Sequence, residues 1–320
     1  MTDGRVGRSR VPTVFLGSGH FGVAALGVLA RHPDVELVGV VSAPPRPAGR
    51  GRSLTPTAID EAARALGIGP VLTPVRLRTP GAIAAVLDLR PGLAVLADYG
   101  QLVPPGLLDL AFGALNLHPS LLPRHRGATP IPAAILAGDA ETGVTLIRMD
   151  AGLDTGPIVV RQSMALGGEE VAPALEAVLE TAAAALLDAS LGPWLRGEIA
   201  ARPQPADGAT LTRPLRREDG RLDPARPAHQ LERQVRAFQP WPGSFVDTTV
   251  GRLVVWASSV GAPTDRAAGL FGPRGLAAAD AELLLVEVQP AGGARMSWDA
   301  FVRGRPGVVG SAALASDRDR

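Results

Sequence analysis

Three side chains within one stretch of this 320-residue sequence are of the types that acyl chemistry uses. Asn116 and His118 stand two apart at the end of the apolar run Ala114-Leu-Asn-Leu-His, so an extended chain puts both on one side. Asp154 lies in a glycine-bounded turn, Gly152-Leu-Asp-Thr-Gly156. An amide N–H can hold a developing oxyanion, an imidazole can move a proton, and a carboxylate can orient the imidazole. The same residue types also close turns: Asn116 and His118 fit a strand-to-loop corner, and Asp154 fits an Asx-turn with Thr155 and Gly156. Their spacing alone does not choose between the two readings.

The elements that would have to position them follow an α/β rhythm. Val11 to Leu16, Val35 to Val41, Leu93 to Ala97 and Ala114 to Leu117 read as short buried strands. Helical periodicity falls between them, through Leu26, Leu29 and Ala30, over Pro56 to Leu66, and over Pro80 to Leu89. This predicts a doubly wound, mostly parallel sheet whose ligands gather at the carboxyl ends of the strands, where Asp98 and Tyr99 lie. Gly143 to Met149 and Ile158 to Met164 read as strands flanking the Asp154 turn, and a helix follows on Leu175, Val178, Leu179, Ala182 and Leu186. His125, between Arg124 and Arg126, is expected at the surface near the pocket mouth.

The first strand runs into Gly17-Ser-Gly-His-Phe-Gly22, the spacing of a dinucleotide-binding turn. The second strand ends in Ser42-Ala-Pro-Pro and brings no acidic residue for a ribose hydroxyl, so the glycines read as structural and no NAD is expected. Residues 197–212 mix Gly, Pro, Ala and charge without period and read as a linker between a domain at 1–196 and another at 213–320. In the latter, Leu231, Val235 and Phe238 share a helical face, and short strands at Phe245 to Thr248, Leu253 to Ala257 and Leu283 to Val288 suggest a small OB-like β-barrel.

Composition narrows the chemistry. There is no cysteine, and the five histidines are scattered, so no metal site is expected. All 32 residues counted as Lys or Arg are Arg, which excludes lysine-based covalent chemistry and leaves Arg as the fixed cation for phosphate. The net charge of +1 excludes a broadly basic nucleic-acid coat but allows a local patch. Pro44 to Pro56 is such a stretch, a Pro- and Gly-rich loop carrying Arg46, Arg50 and Arg52. Met1 to Arg10 lacks an apolar core and reads as a tail, and the most apolar helix, Ala172 to Leu191, is interrupted by Glu176, Glu180 and Asp188, so no membrane association is expected. The setting expected is the cytoplasm, with the chain a monomer.

The runs Asn116-Leu-His-Pro-Ser-Leu-Leu-Pro, Arg126-Gly-Ala-Thr-Pro-Ile, Gly138-Asp-Ala-Glu-Thr-Gly-Val-Thr and Gly152-Leu-Asp-Thr-Gly together resemble the formyl-tetrahydrofolate-dependent formyltransferases. The resemblance extends through Leu231-Glu-Arg-Gln-Val-Arg-Ala-Phe-Gln-Pro-Trp-Pro-Gly-Ser, covers roughly Val11 to Val302, and is strongest to members that act on methionyl initiator tRNA. It implies a formyltransferase Rossmann-like fold and formyl transfer from formyl-tetrahydrofolate to an amine, with Asn116, His118 and Asp154 as catalytic residues. It also implies that Ser120, Leu121, Leu122, Pro123 and Tyr99 line the folate site, that Arg46, Arg50 and Arg52 grip tRNA, and that the C-terminal domain contacts it. Asp98, Arg52, Ser53, Pro214 and Pro224 depart from that pattern. An amino-sugar nucleotide is the alternative acceptor, for which the basic loop would be superfluous.

Overall fold

The computed structural model describes residues 9–48 and 53–314. Its contacts divide it into one unit of Met1–Pro130, Glu141–Ala165 and Glu176–Thr212, and a second of Ile131–Ala140, Leu166–Leu175 and Arg213–Arg320. From the N-terminus come β1 (Val11–Gly17), α1 (Val23–Arg31), β2 (Val35–Val41), β3 (Arg46–Ala48), β4 (Ser53–Thr55), α2 (Ala58–Ala65), β5 (Val71–Leu72), α3 (Pro80–Leu87) and β6 (Leu93–Ala97). Then follow α4 (Pro105–Leu108), β7 (Ala114–His118), β8 (Arg126–Gly127), α5 (Pro130–Ala137), β9 (Glu141–Arg148), β10 (Ile158–Ala165), α6 (Ala172–Leu195) and β11 (Leu211–Thr212).

The first unit is built on a seven-stranded sheet of order β10-β9-β7-β6-β1-β2-β5. β1, β2, β5, β6 and β7 run parallel, and β9 and β10 are added antiparallel on the β7 edge. After β1 the chain moves outward to β2 and β5, then crosses to β6 on the other side of β1. That reversal opens a crevice at the carboxyl ends of β1 and β6. The central strand β6 is buried at all five positions, as a strand covered on both faces must be. β7 is buried at every position but Asn116, and because Leu115 and Leu117 point to one face, Asn116 and His118 lie on the opposite one. Caps define the helices locally. Thr57 accepts from the Asp60 N–H at the start of α2, and Pro80 opens α3, where its missing N–H costs nothing.

Three features differ from the expectations. Arg46, Pro47 and Ala48 pair with Thr55, Leu54 and Ser53, so the Pro44 to Pro56 segment holds a two-stranded ribbon rather than an irregular loop throughout. Backbone pairing needs no buried side chain, which is why periodicity gives no sign of it. Residues 197–212 are bound to the first unit: Arg202 and Ile158 exchange backbone hydrogen bonds at 2.8 and 2.7 Å, and β11 pairs in parallel with β8. In α6, Val178 is 49% exposed, while Ala183, Leu187 and Leu191 are fully buried beside Leu175, Leu179 and Leu186.

The second unit contains α7 (Ala228–Ala237), β12 (Ser244–Thr248), β13 (Gly251–Pro263), β14 (Gly275–Ala277), β15 (Ala281–Pro290), β16 (Met296–Ser297) and α8 (Trp298–Gly304). Its strands form the antiparallel sheet β12-β13-β15-β14, with β16 on β15. Leu231 and Val235 of α7 join a core with Val246, Leu253, Phe271, Trp298 and Phe301. Trp298 stacks between Phe271 and Phe301 at 5.8 and 5.6 Å, and its indole N–H donates to the Pro273 carbonyl at 2.9 Å, satisfying the polar edge of a buried ring.

Candidate active site

Asn116 and His118 leave the carboxyl end of β7, and Asp154 reaches them from the turn between β9 and β10. The Asn116 side-chain amide donates to Asp154 Oδ1 at 3.3 Å, and the backbone N–H of Gly127 donates to Oδ2 at 2.8 Å. His118 Nδ1 lies 3.7 Å from the same Oδ2. On the other ring edge, His118 Nε2 meets the His125 carbonyl at 2.9 Å; a carbonyl only accepts, so the neutral imidazole carries its hydrogen on Nε2. Nδ1 is then a lone pair facing a carboxylate. A proton arriving between Nδ1 and Oδ2 would turn that facing pair into an ion pair, so the geometry is that of a proton acceptor.

His118 is 4% exposed. Burial pushes its imidazole below the ordinary histidine value, while Asp154 and the His125 carbonyl pull it part of the way back. Asn116 is half-buried, and one of its two amide hydrogens goes to Asp154.

The loops carrying these groups are held in unusual backbone. Asp98, His125 and Asp154 have φ of 50°, 57° and 53°, in the left-handed region that non-glycine residues enter at a cost of about 1–2 kcal/mol. His125 is buried at 7% exposure, not at the surface as expected. Its left-handed turn folds the side chain inward, and its N–H donates to Thr210 Oγ1 at 2.8 Å. Gly127, at φ 103°, lies against the Thr212 carbonyl, where a Cβ would overlap it.

The expected folate residues are placed as follows. Ser120, Leu122 and Pro123 are buried, and Leu121 is partly exposed. The Ser120 hydroxyl donates to the Arg124 carbonyl at 2.7 Å, and Thr145, opposite His118 on β9, donates to the Ser120 carbonyl at 2.7 Å while accepting from the Leu122 N–H at 3.2 Å. This run therefore forms a tight turn whose backbone is largely engaged, with the Ser120 N–H donating to the His118 carbonyl at 2.9 Å and the Arg124 N–H to the Leu121 carbonyl at 3.1 Å, while Leu121 keeps a partly exposed side chain. Tyr99 packs its half-buried ring against the core around Leu16, Leu96 and Leu107; its hydroxyl is buried without a hydrogen-bond partner, and burial raises its pKa to about 12.

The glycine-rich turn is already filled. A Cβ on Gly19 would overlap the Asp98 carboxylate, and Glu180 Oε1 accepts from the Ala24 N–H at 3.1 Å at the start of α1. The helix N-terminus that takes a diphosphate in dinucleotide sites thus meets protein carboxylates. Burial raises the Asp98 carboxyl above its usual range against the pull of His20, and burial followed by Asp98 raises Glu176.

Of the three expected tRNA-gripping arginines, Arg46 is exposed on β3, and Arg50 and Arg52 lie outside the described residues, as do positions 1–8 of the expected tail. Among the described residues no group of three or more His, Asp or Glu is placed to hold a metal ion, and no helix is long and apolar enough to cross a membrane. Sequence reading missed Gly127, Thr145, Gln204 and Thr210. The first two lie inside motifs it quoted, but Gln204 and Thr210 sit in a stretch whose composition carries no such signal.

A mostly parallel sheet of this order is a Rossmann-like fold, and the amide, imidazole and carboxylate brought together at the end of β7 are of the types that acyl transfer uses. Residues 11–189 match the formyl transferase family and residues 214–306 its C-terminal domain, and the chain belongs to that family. It is similar to the methionyl-tRNA formyltransferase of Gluconacetobacter diazotrophicus, with 44% identity over 305 residues, 93% of this chain and 97% of the relative. With the methionyl-tRNA formyltransferase of Myxococcus xanthus the identity is 39% over 312 residues, 95% of this chain and 98% of the relative. Among solved structures, an N-formyltransferase from Helicobacter canadensis in complex with folinic acid and dTDP-3-aminofucose shares the fold at a TM-score of 0.59 and 15% identity, covering 86% of this chain and 98% of that one. HypX from Aquifex aeolicus in complex with tetrahydrofolic acid matches at a TM-score of 0.59 and 14% identity, over 92% of this chain and 47% of that one.

Proposed function

We propose that this chain transfers the formyl group of formyl-tetrahydrofolate to the α-amino group of methionyl initiator tRNA. The observation that carries the chemistry is Asp154 standing between Asn116 and His118. The neutral amine nitrogen bonds to the formyl carbon as the carbonyl electrons move onto oxygen, where the second Asn116 N–H meets the developing charge. The proton released by the amine passes through Asp154 to His118 Nδ1. Collapse breaks the bond to the folate nitrogen, which leaves with that proton, and the pair returns to its starting state.

The donor is held, on this reading, by the turn of Ser120 to Pro123 and by Tyr99. The acceptor is assigned from the methionyl-tRNA formyltransferases that align with nearly the whole chain, with Arg46, on the β3–β4 ribbon, and Arg50 and Arg52, outside the described residues, as phosphate contacts. The second unit supplies further contact to the tRNA. The setting that goes with this acceptor is the cytoplasm, with the enzyme a monomer. The amino-sugar alternative rests on structures under 25% identical, which share the fold alone. The test is direct: formyl transfer is assayed with methionyl initiator tRNA beside a dTDP-amino sugar. Turnover of the tRNA alone supports the proposal, and turnover of the sugar alone overturns it.

A further inference from the structure

Gln204 belongs to the segment that composition reads as a linker, yet its side chain is saturated with hydrogen bonds at the catalytic turn. Its Nε2 donates to the Asp154 carbonyl at 2.7 Å and to the Gly156 carbonyl at 2.8 Å. Its Oε1 accepts from Arg126 Nε at 3.1 Å and Arg126 Nη2 at 2.7 Å. Two hydrogens and two lone pairs are all that a primary amide has, and each is engaged. Arg126 directly precedes Gly127, whose N–H holds the Asp154 carboxylate at 2.8 Å. A closed ring results, running from the Asp154 carboxylate through Gly127 and Arg126 to Gln204, and back to the Asp154 main chain.

That ring has a purpose in the physics of the turn. Asp154 sits at φ 53°, a conformation its side chain disfavours, and its carboxylate must stay within reach of both Asn116 and His118. Held only by its own turn, the residue would relax toward the ordinary helical or extended regions and withdraw the carboxylate. Two carbonyls clamped by one rigid amide prevent this, because the carbonyls of residues 154 and 156 can both meet one NH2 group only when the turn has this shape. No other side chain supplies the same set: Glu has the acceptor and no donor, Asn is one carbon shorter, and Met fills the space with neither.

We propose that Gln204 is a positioning residue for Asp154, holding the carboxylate that sets the state of His118; the proposal rests on the catalytic role given to that pair above. Its amide is filled by Asp154, Gly156 and Arg126 and has no bond left for a substrate. Its loss therefore lowers kcat and leaves KM for folate and tRNA unchanged. A loosened Asp154 no longer supports the imidazolium, so the His118 midpoint moves further down from its already lowered position.

The test compares Gln204→Met, which removes all four bonds, with Gln204→Glu, which keeps an acceptor for Arg126 but loses both donors. Expected for both is a fall in kcat of up to about a hundredfold, the scale of a misplaced catalytic group, at unchanged KM. The His118 titration is read by NMR on 15N-histidine-labelled protein without substrate, assigned with His118→Asn, and is expected to shift downward in both variants. In an Asp154→Asn background, Gln204→Met is expected to add no further loss. Unchanged kcat and titration, a rise in KM alone, or an equal loss in the Asp154→Asn background each overturn the proposal. Because the titration needs no acceptor, it decides the positioning role even if wild-type protein fails to formylate the tRNA, an outcome that overturns only the assigned reaction.

Discussion

The Asn116 amide and the Asp154 carboxylate meet at 3.3 Å, so the group assigned to the oxyanion is oriented by the group assigned to the proton. Losing either disturbs both functions. Asn116→Ala, His118→Ala and Asp154→Ala are each expected to cost about a hundredfold to a thousandfold in kcat, the range for removing an oxyanion donor or its support. Single-turnover formyl transfer measures this at saturating folate. A variant that keeps near-native rate takes its residue out of the mechanism.

The burial of His118 gives the pH dependence its sign. The imidazole must be neutral to receive the amine's proton, and burial holds it neutral below the ordinary midpoint of about 6.5. The acid limb of kcat/KM is expected to have its midpoint beneath that value. Stability follows the same sign: between the unfolded and the lower folded midpoint the unfolded chain binds more protons, so stability falls as pH drops through that window and levels off below it. Chemical denaturation of wild type and His118→Asn across this range isolates the contribution. A stability that rises toward acid would contradict the burial argument.

Asp98 lies against Gly19 where a dinucleotide phosphate would rest, and Glu180 occupies the helix start behind it. Neither NAD nor NADP is expected to bind, and calorimetry at millimolar nucleotide checks it. Gly19→Ala forces the carboxylate aside and is expected to destabilise by about 1–3 kcal/mol, as overpacking does. Adding Asp98→Gly should restore most of this, since glycine also suits φ 50°. Independent effects of the two substitutions would show that the contact does not carry the role of Gly19.

Arg46 stands exposed on the β3–β4 ribbon. Arg46→Ala and Arg50→Ala are expected to weaken tRNA more than folate and to flatten the salt dependence of tRNA affinity by roughly one unit of slope per lost phosphate contact. Filter binding across a salt series reads this. Unchanged slopes in both variants would leave the segment a connector and strengthen the amino-sugar alternative.

The sequence by itself determined whatever depends on a repeating side-chain pattern or a residue's own chemistry. The alternation Ala-Leu-Asn-Leu-His requires Asn116 and His118 on one face once Leu115 and Leu117 are buried, and the apolar runs at Leu93 to Ala97 and Val35 to Val41 read directly as strands. The missing ribose acid already argued against NAD. Tertiary structure alone decided what is carried by backbone groups and distant partners: the Gly127 N–H on Asp154, the His125 carbonyl on His118, and the Asp98 carboxylate filling Gly19. It also drew residues 197–212 onto the first unit, where Gln204 reaches a turn 50 positions earlier in the chain. Every peptide unit other than one at proline offers the same N–H and C=O whatever its side chain, so the choice among those partners has no signature in composition or period and is made only when the chain closes on itself.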